Sequence, residues 1–112
     1  MNSLQGRVAV VTGGSQGFGL AITQRFISSG AKVIIWDIDI NESKKAQSKI
    51  NSNNFSYQIV DIRNNDEIEK NLDEIISRFG KIDIFINNAG IAGKNLSVKD
   101  YPLEEWKKVI DL

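Results

Sequence analysis

Short, almost wholly apolar runs alternate along this chain with longer stretches in which apolar residues recur every three or four positions. Val8 to Val11, Val33 to Trp36, Ser56 to Val60 and Ile82 to Ile86 are brief and rich in apolar or β-branched residues, which predicts four strands. Between them a helix is expected from about Gly17 to Ser29, closed by Gly30, and a more polar one from about Asn41 to Asn51. The third helix is the clearest. Ile68, Leu72, Ile75, Ile76 and Phe79 fall at helical spacing, with Asp66 and Glu67 in the first turn and Gly80 beyond the end, so this stripe should face the core. Asn51-Ser52-Asn53-Asn54 reads as a surface connection, and a looser stretch runs from Gly90 to Asp100. Pro102, with Glu104 and Glu105 after it and an apolar side of Trp106, Val109 and Ile110, suits the start of a further helix. Strands alternating with helices, joined by right-handed crossovers, predict a doubly wound parallel α/β sheet.

The segment between the first strand and its helix carries the chemistry. Thr12-Gly13-Gly14-Ser15-Gln16-Gly17-Phe18-Gly19 must leave a strand, reverse and enter a helix. A chain doing this beside a pyrophosphate needs residues without a Cβ, both for unusual backbone angles and for close approach, and Gly13, Gly17 and Gly19 meet that need. The first N–H groups of the helix have no partner within it and mark the positive end of its dipole, so phosphate oxygens bind well there, near Phe18 and Gly19. The same glycines also suit a tight connection with no ligand, and the turn alone leaves both roles open.

Asp37 closes the second strand at about the interval of a ribose-binding carboxylate. Such a group accepts hydrogen bonds from ribose hydroxyls and opposes a 2′-phosphate. Two unit charges ~4 Å apart, at an effective dielectric near 20, cost roughly 4 kcal/mol before screening, or about a thousandfold. Gln16 supplies no compensating cation within the turn, so NAD is expected over NADP. A plain helix cap or loop acid is the other role open to Asp37, while Asp39 is expected to cap the next helix.

Fourteen basic and fourteen acidic residues cancel, so no bulk charge points to nucleic acid or to an anionic membrane surface. Apolar runs of about five residues fall well below a membrane span, and the first residues lack a signal-type core, so a cytoplasmic chain is expected. With no cysteine and no histidine there is no disulfide framework, no thiolate or imidazole metal site and no histidine-based triad.

Thr12-Gly13-x-x-x-Gly17-x-Gly19, Asp37, Asp61-Ile62 and Asn87-Asn88-Ala89-Gly90 stand in the order and at the spacings of the classical short-chain dehydrogenases/reductases, which the chain resembles over essentially all of its 112 residues. The resemblance implies a Rossmann-type sheet of order 3-2-1-4, with the ligand beyond the carboxyl ends of the strands at the switch between the first and fourth. It implies cofactor-binding roles for Gly13, Gly14, Ser15, Gln16, Gly17, Phe18 and Gly19 and for Asp37. It further places Asp61 and Ile62 beside the adenine, and Asn88, Ala89 and Gly90 along the adenosine ribose. Asn87 would tie the fourth strand to its neighbours. Read from the residues alone, Asp61 is an acid ending a strand and Asn87 to Gly90 is a turn.

The family's Tyr-x-x-x-Lys pair is missing from these residues. Tyr57 and Tyr101 are followed four positions later by Asp61 and Glu105, and the family asparagine would come directly after Asp111-Leu112. Residues 1–112 are therefore expected to form the NAD-binding half of a longer oxidoreductase, truncated after the fourth strand and the start of the next helix. That protein would move hydride between NAD(H) and an alcohol or carbonyl, in a manner similar to 3-oxoacyl-carrier-protein reductases or to sugar and polyol dehydrogenases. The isolated residues are expected to be inactive and marginally stable, with one exposed sheet edge, and the full-length form to be a homo-oligomer. Two other classes share parts of this pattern. One is a non-catalytic dinucleotide-binding module; the other, a methyltransferase with an adenosyl cofactor, is disfavoured by Asn87 to Gly90 and by the spacing of Gly13 to Gly19.

Overall fold

The computed structural model describes residues 3–88 and the backbone of 90–91 and 94–95. Strands β1 (Val8–Thr12), β2 (Lys32–Asp37), β3 (Phe55–Ile59) and β4 (Ile84–Asn87) alternate with helices α1 (Gly17–Ser28), α2 (Ile40–Ile50) and α3 (Asn65–Phe79). The sheet order is β3-β2-β1-β4 and every pairing within it is parallel. This is the doubly wound, Rossmann-like arrangement expected from the sequence.

Strand composition follows from cover on both faces. All five residues of β1 are buried, and alternate ones enter opposite cores because successive side chains on a strand point to opposite sides. Val8 and Val10 join Ile34, Trp36, Val60 and Ile82 under Ile68, Leu72 and Ile75 of α3. Ala9 and Val11 join Val33, Ile35 and Phe55 on the other face, against Leu20 and Phe26 of α1 and Ala46 of α2. Each buried aliphatic side chain of α3 contributes about 1.5–3 kcal/mol relative to exposure, which makes its apolar stripe the main anchor of that layer. Trp36 is buried within the same face, its ring edge-on to Phe85 at 5.5 Å and its Nε1–H donating to Gln58 Oε1 at 2.7 Å.

Element ends are set by local chemistry. Asp39 caps α2 by accepting from the Glu42 N–H at 3.0 Å, as expected, and Asn64 caps α3 by accepting from the N–H groups of Asp66 and Glu67. At the other ends the chain turns through left-handed Asn51 and Gly80. The third strand and second helix each lie one residue earlier than expected, and the start of the fourth strand needs a larger correction. Ile82 is a core residue, but β4 begins at Ile84 rather than at Ile82. Asp83 exchanges two bonds with Val8 before the ladder starts, its N–H donating to the Val8 carbonyl and its carboxylate accepting from the Val8 N–H, each at 2.8 Å. Lys81 and Arg7 flank the same carboxylate at 3.1 and 3.6 Å. Burial alone would raise the Asp83 pKa, but the Val8 N–H and the two cations outweigh it and hold the group below its ordinary range.

Within the stretch read as loose, Gly90–Ile91 (β5) pairs antiparallel with Lys94–Asn95 (β6). The helix expected after Pro102 lies outside the described residues. Among those residues β4 is an edge of the main sheet, and all four of its positions are half-buried.

Candidate functional site

Parallel strands put all their carboxyl ends on one side, so the segments following β1, β2, β3 and β4 meet there. Register fixes how closely: Thr12 of β1 stands opposite Trp36 on one side and Asn87 on the other, while Asp37 stands opposite Ile59.

The glycine turn is built from both neighbouring strands. Gly13 has φ +63°, a conformation that a Cβ disfavours, and its N–H donates to the Trp36 carbonyl at 2.7 Å. Gly19, in the first turn of α1, packs so closely on the start of the turn that a Cβ there would overlap the Gly13 carbonyl oxygen and press on Asn88 Nδ2. Gly14 and Ser15 are buried; Gln16, Gly17 and Phe18 are exposed. Gln16 occupies the N-cap position of α1 without giving the helix a side-chain hydrogen bond, and no acid stands in the first turn. The start of α1 therefore presents donors and the positive end of its dipole without internal compensation.

Asp37 leans onto this turn. Its Oδ2 accepts from Ser15 Oγ at 2.5 Å and from the Ser15 N–H at 3.4 Å, while Oδ1 accepts from the Asp39 N–H at 3.0 Å. On the β4 side, Thr12 Oγ1 donates to Asn87 Oδ1 at 3.0 Å and accepts from the Asn88 N–H at 2.9 Å. Asn88 Nδ2 donates to the Gly13 carbonyl at 3.2 Å. Two hydrogen-bonded groups thus meet at the turn, Ser15 with Asp37 on one side and Gly13 with Asn88, Thr12 and Asn87 on the other.

Asp61 and Ile62 stand apart from both groups. Asp61 Oδ1 and Oδ2 accept from Arg63 Nε and Nη2, each at 2.9 Å, and Oδ1 also accepts from the Arg63 N–H at 2.9 Å. The Arg63 side chain is the chief reason that the Asp61 pKa falls to about 2, its N–H adding to the effect, so the carboxylate stays charged at any ordinary pH. Ile62 is half-buried against the α3 core. Gly90 belongs to β5, and Ala89 lies outside the described residues.

Three exposed apolar residues near these segments were not singled out from the sequence: Ile38, Ile40 and Ile59 are 62, 46 and 39 % exposed, beside Phe18, which was singled out and is 76 % exposed. All three belong to the carboxyl-end segments of β2 and β3, and an isoleucine directly after Asp37, outside any strand or helix core, was the readable signal. Arg63, the partner of Asp61, was also missed; a cation two residues beyond an acid was its only mark.

A helix start without a side-chain cap, a glycine turn before it and a carboxylate bonded to that turn at the carboxyl ends of a parallel sheet fit a nucleotide-binding α/β protein. The chain belongs to the short-chain dehydrogenase family, whose model matches residues 7–112. It is similar to 3-oxoacyl-[acyl-carrier-protein] reductase of Chlamydia muridarum, with 36 % identity over 115 residues covering 99 % of this chain and 46 % of that protein. Zerumbone synthase of Zingiber zerumbet is 35 % identical over 111 residues, covering 97 % of this chain and 42 % of that enzyme. In three dimensions it resembles 3-ketoacyl-(acyl-carrier-protein) reductase of Brucella melitensis, a crystal structure complexed with NADH. The TM-score is 0.75 at 34 % identity, over 96 % of this chain and 43 % of the other. The chain thus spans less than half the length of these relatives.

Proposed function

We propose that residues 1–112 bind NAD(H) across the carboxyl ends of β1 and β2, and that the whole protein is an oxidoreductase acting on an alcohol or carbonyl. The observation that carries this reading is the direct bond between the glycine turn and Asp37, which couples a phosphate-binding helix start to a ribose-binding acid. The residues fit the coenzyme: Gly19 lets the start of α1 pack directly against the Gly13 carbonyl, the space where Gly17 would carry a Cβ is open, and no side chain caps the first turn of α1. Gly13 to Gly19 hold the pyrophosphate, and Asp37 accepts from the adenosine ribose. Exposed Ile38, Ile40 and Ile59 offer apolar surface to the base, with Asp61 and Ile62 at its border. The resemblance adds Asn88, Ala89 and Gly90 as residues that contact the adenosine ribose.

Nicotinamide supplies the hydride chemistry when bound. The part of this stretch is to bind and orient, since neither tyrosine is followed by a lysine four residues later. The similarity to the two acyl-carrier-protein reductases supports a carbonyl or alcohol substrate, with the acid/base groups supplied by residues outside these 112. Asp37 favours NAD over NADP because a 2′-phosphate would meet its charge. No helix among the described residues is long and apolar enough to cross a membrane; we place the protein in the cytoplasm, acting as a homo-oligomer on a small molecule.

Calorimetric titration with NADH, NADPH and S-adenosylmethionine tests this. Wild type should prefer NADH, and Asp37→Ala should reduce the NADH-over-NADPH preference by about a hundredfold, the thousandfold Coulomb figure being cut by solvent screening. Preferred binding of S-adenosylmethionine, or an unchanged preference after the substitution, would overturn the assignment.

A further inference from the structure

We propose that Ser15 is a positioning residue for coenzyme choice: its hydroxyl fixes the Asp37 carboxylate against the glycine turn, so discrimination between plain and phosphorylated ribose depends on a side chain turned toward protein. This rests on the reading of the crevice as an NAD(H) site and adds to it the device that holds the selecting charge in place.

Asp37 is anchored from two directions. The Asp39 N–H on Oδ1 comes from two residues away and forms with the local bend of the chain. The Ser15 contacts on Oδ2 come from 22 residues away and are the long-range tie among the bonds described for this carboxylate. Ser15 itself is only 3 % exposed, so its hydroxyl is directed by the packing of the turn rather than by solvent. Asp37 by contrast is half-exposed, at the last position of β2, where rotation about two side-chain bonds would otherwise let the charge swing into water. A carboxylate has about four lone-pair sites, so these donors still leave acceptor capacity for an incoming ribose hydroxyl. Freezing the rotation beforehand spares the binding step that ordering cost. It also keeps the negative charge where a 2′-phosphate would have to sit.

Removal of the hydroxyl frees Asp37 to turn outward, which weakens acceptance from ribose and relaxes repulsion of phosphate together. The two effects act in opposite senses on NADH and NADPH, so the affinity ratio is the sensitive readout. In the whole protein, NADH and NADPH are titrated by nicotinamide fluorescence onto wild type, Ser15→Ala, Asp37→Ala and the double variant, with a thermal melt of each ligand-free protein. Ser15→Ala should lower the NADH-over-NADPH ratio about tenfold, the range of a hydrogen bond to a charged group. In the Asp37→Ala background the same change should leave the ratio within about twofold. A ratio that Ser15→Ala leaves unchanged, in a wild type that does prefer NADH, overturns the inference and leaves the NAD reading intact. An equal effect in both backgrounds also overturns it, by assigning Ser15 to the ligand directly. A wild type that binds neither coenzyme sinks the underlying reading as well. Should Ser15→Ala not fold, Ser15→Cys, with its weak thiol donor, reports the same comparison; unfolding of both makes the contact purely structural and rejects the proposal.

Discussion

Helices α1 and α3 begin in opposite ways. The first turn of α3 is closed: Asn64 accepts from two of its N–H groups, and Asp66 and Glu67 sit against the positive end of the dipole. The first turn of α1 has an N-cap residue that gives no side-chain bond, has no acid, and starts with Gly17-Phe18-Gly19. A side-chain cap is worth about 1 kcal/mol, and acids in the first turn add a few tenths each. The chain forgoes that stabilisation at one helix and takes it at the other. The difference teaches that the start of α1 is left open for the proposed anion, whereas α3 is finished by its own sequence and covers the sheet.

The harshest way to break the contrast is to fill the cradle. Gly19→Val puts carbon where the Gly13 carbonyl and Asn88 stand, and should weaken NADH binding by at least about a hundredfold in calorimetry, with a lowered melting temperature. A milder change closes α1 as α3 is closed: Gln16→Asp should raise helix stability by about 1 kcal/mol while its charge weakens NADH binding about tenfold. Melting temperature and affinity moving in opposite directions is the expected signature; a gain in both would remove the anion role of α1. The mirror experiment is Asn64→Ala, which should cost about 1 kcal/mol in denaturant unfolding and leave NADH affinity within about twofold.

The smallest expected effect lies at the other end of the strands. Asp83 is held below its ordinary pKa, so the unfolded chain binds a proton there more readily than the folded one. Its contribution to stability is complete above the usual carboxylate range near ~4 and fades as pH falls through the lower folded value. Acid unfolding of Asp83→Asn should therefore be flatter than wild type below about pH 4, with NADH binding at neutral pH unaffected.

Strand and helix positions were legible because burial on both sheet faces forces continuous apolar strands, and because α3 repeats its apolar residues at helical spacing. The sheet order required more than periodicity; it came with the resemblance carried by Gly13 to Gly19, Asp37 and Asn87 to Gly90. The start of β4 was misread since Ile82 is as apolar as the strand itself, and only the side-chain bond of Asp83 to Val8 shows where the ladder begins. Likewise the hairpin of β5 and β6 has too few residues for any period to show. At the site, residue types were visible but partnerships were not. The pairings of Ser15 with Asp37 and of Thr12 with Asn88 span 22 and 76 residues, and the bidentate grip of Arg63 on Asp61 depends on side-chain direction.

Trp36 gives the molecule a built-in lamp. Its indole is sealed in the core and held at a fixed angle by Gln58 and Phe85, yet it is the residue immediately before Asp37. A ring in such a dry setting emits at the blue end of its range, and energy passes readily from indole to a reduced nicotinamide ring. Binding of the proposed coenzyme should thus appear as dimming of that blue component, with no label attached.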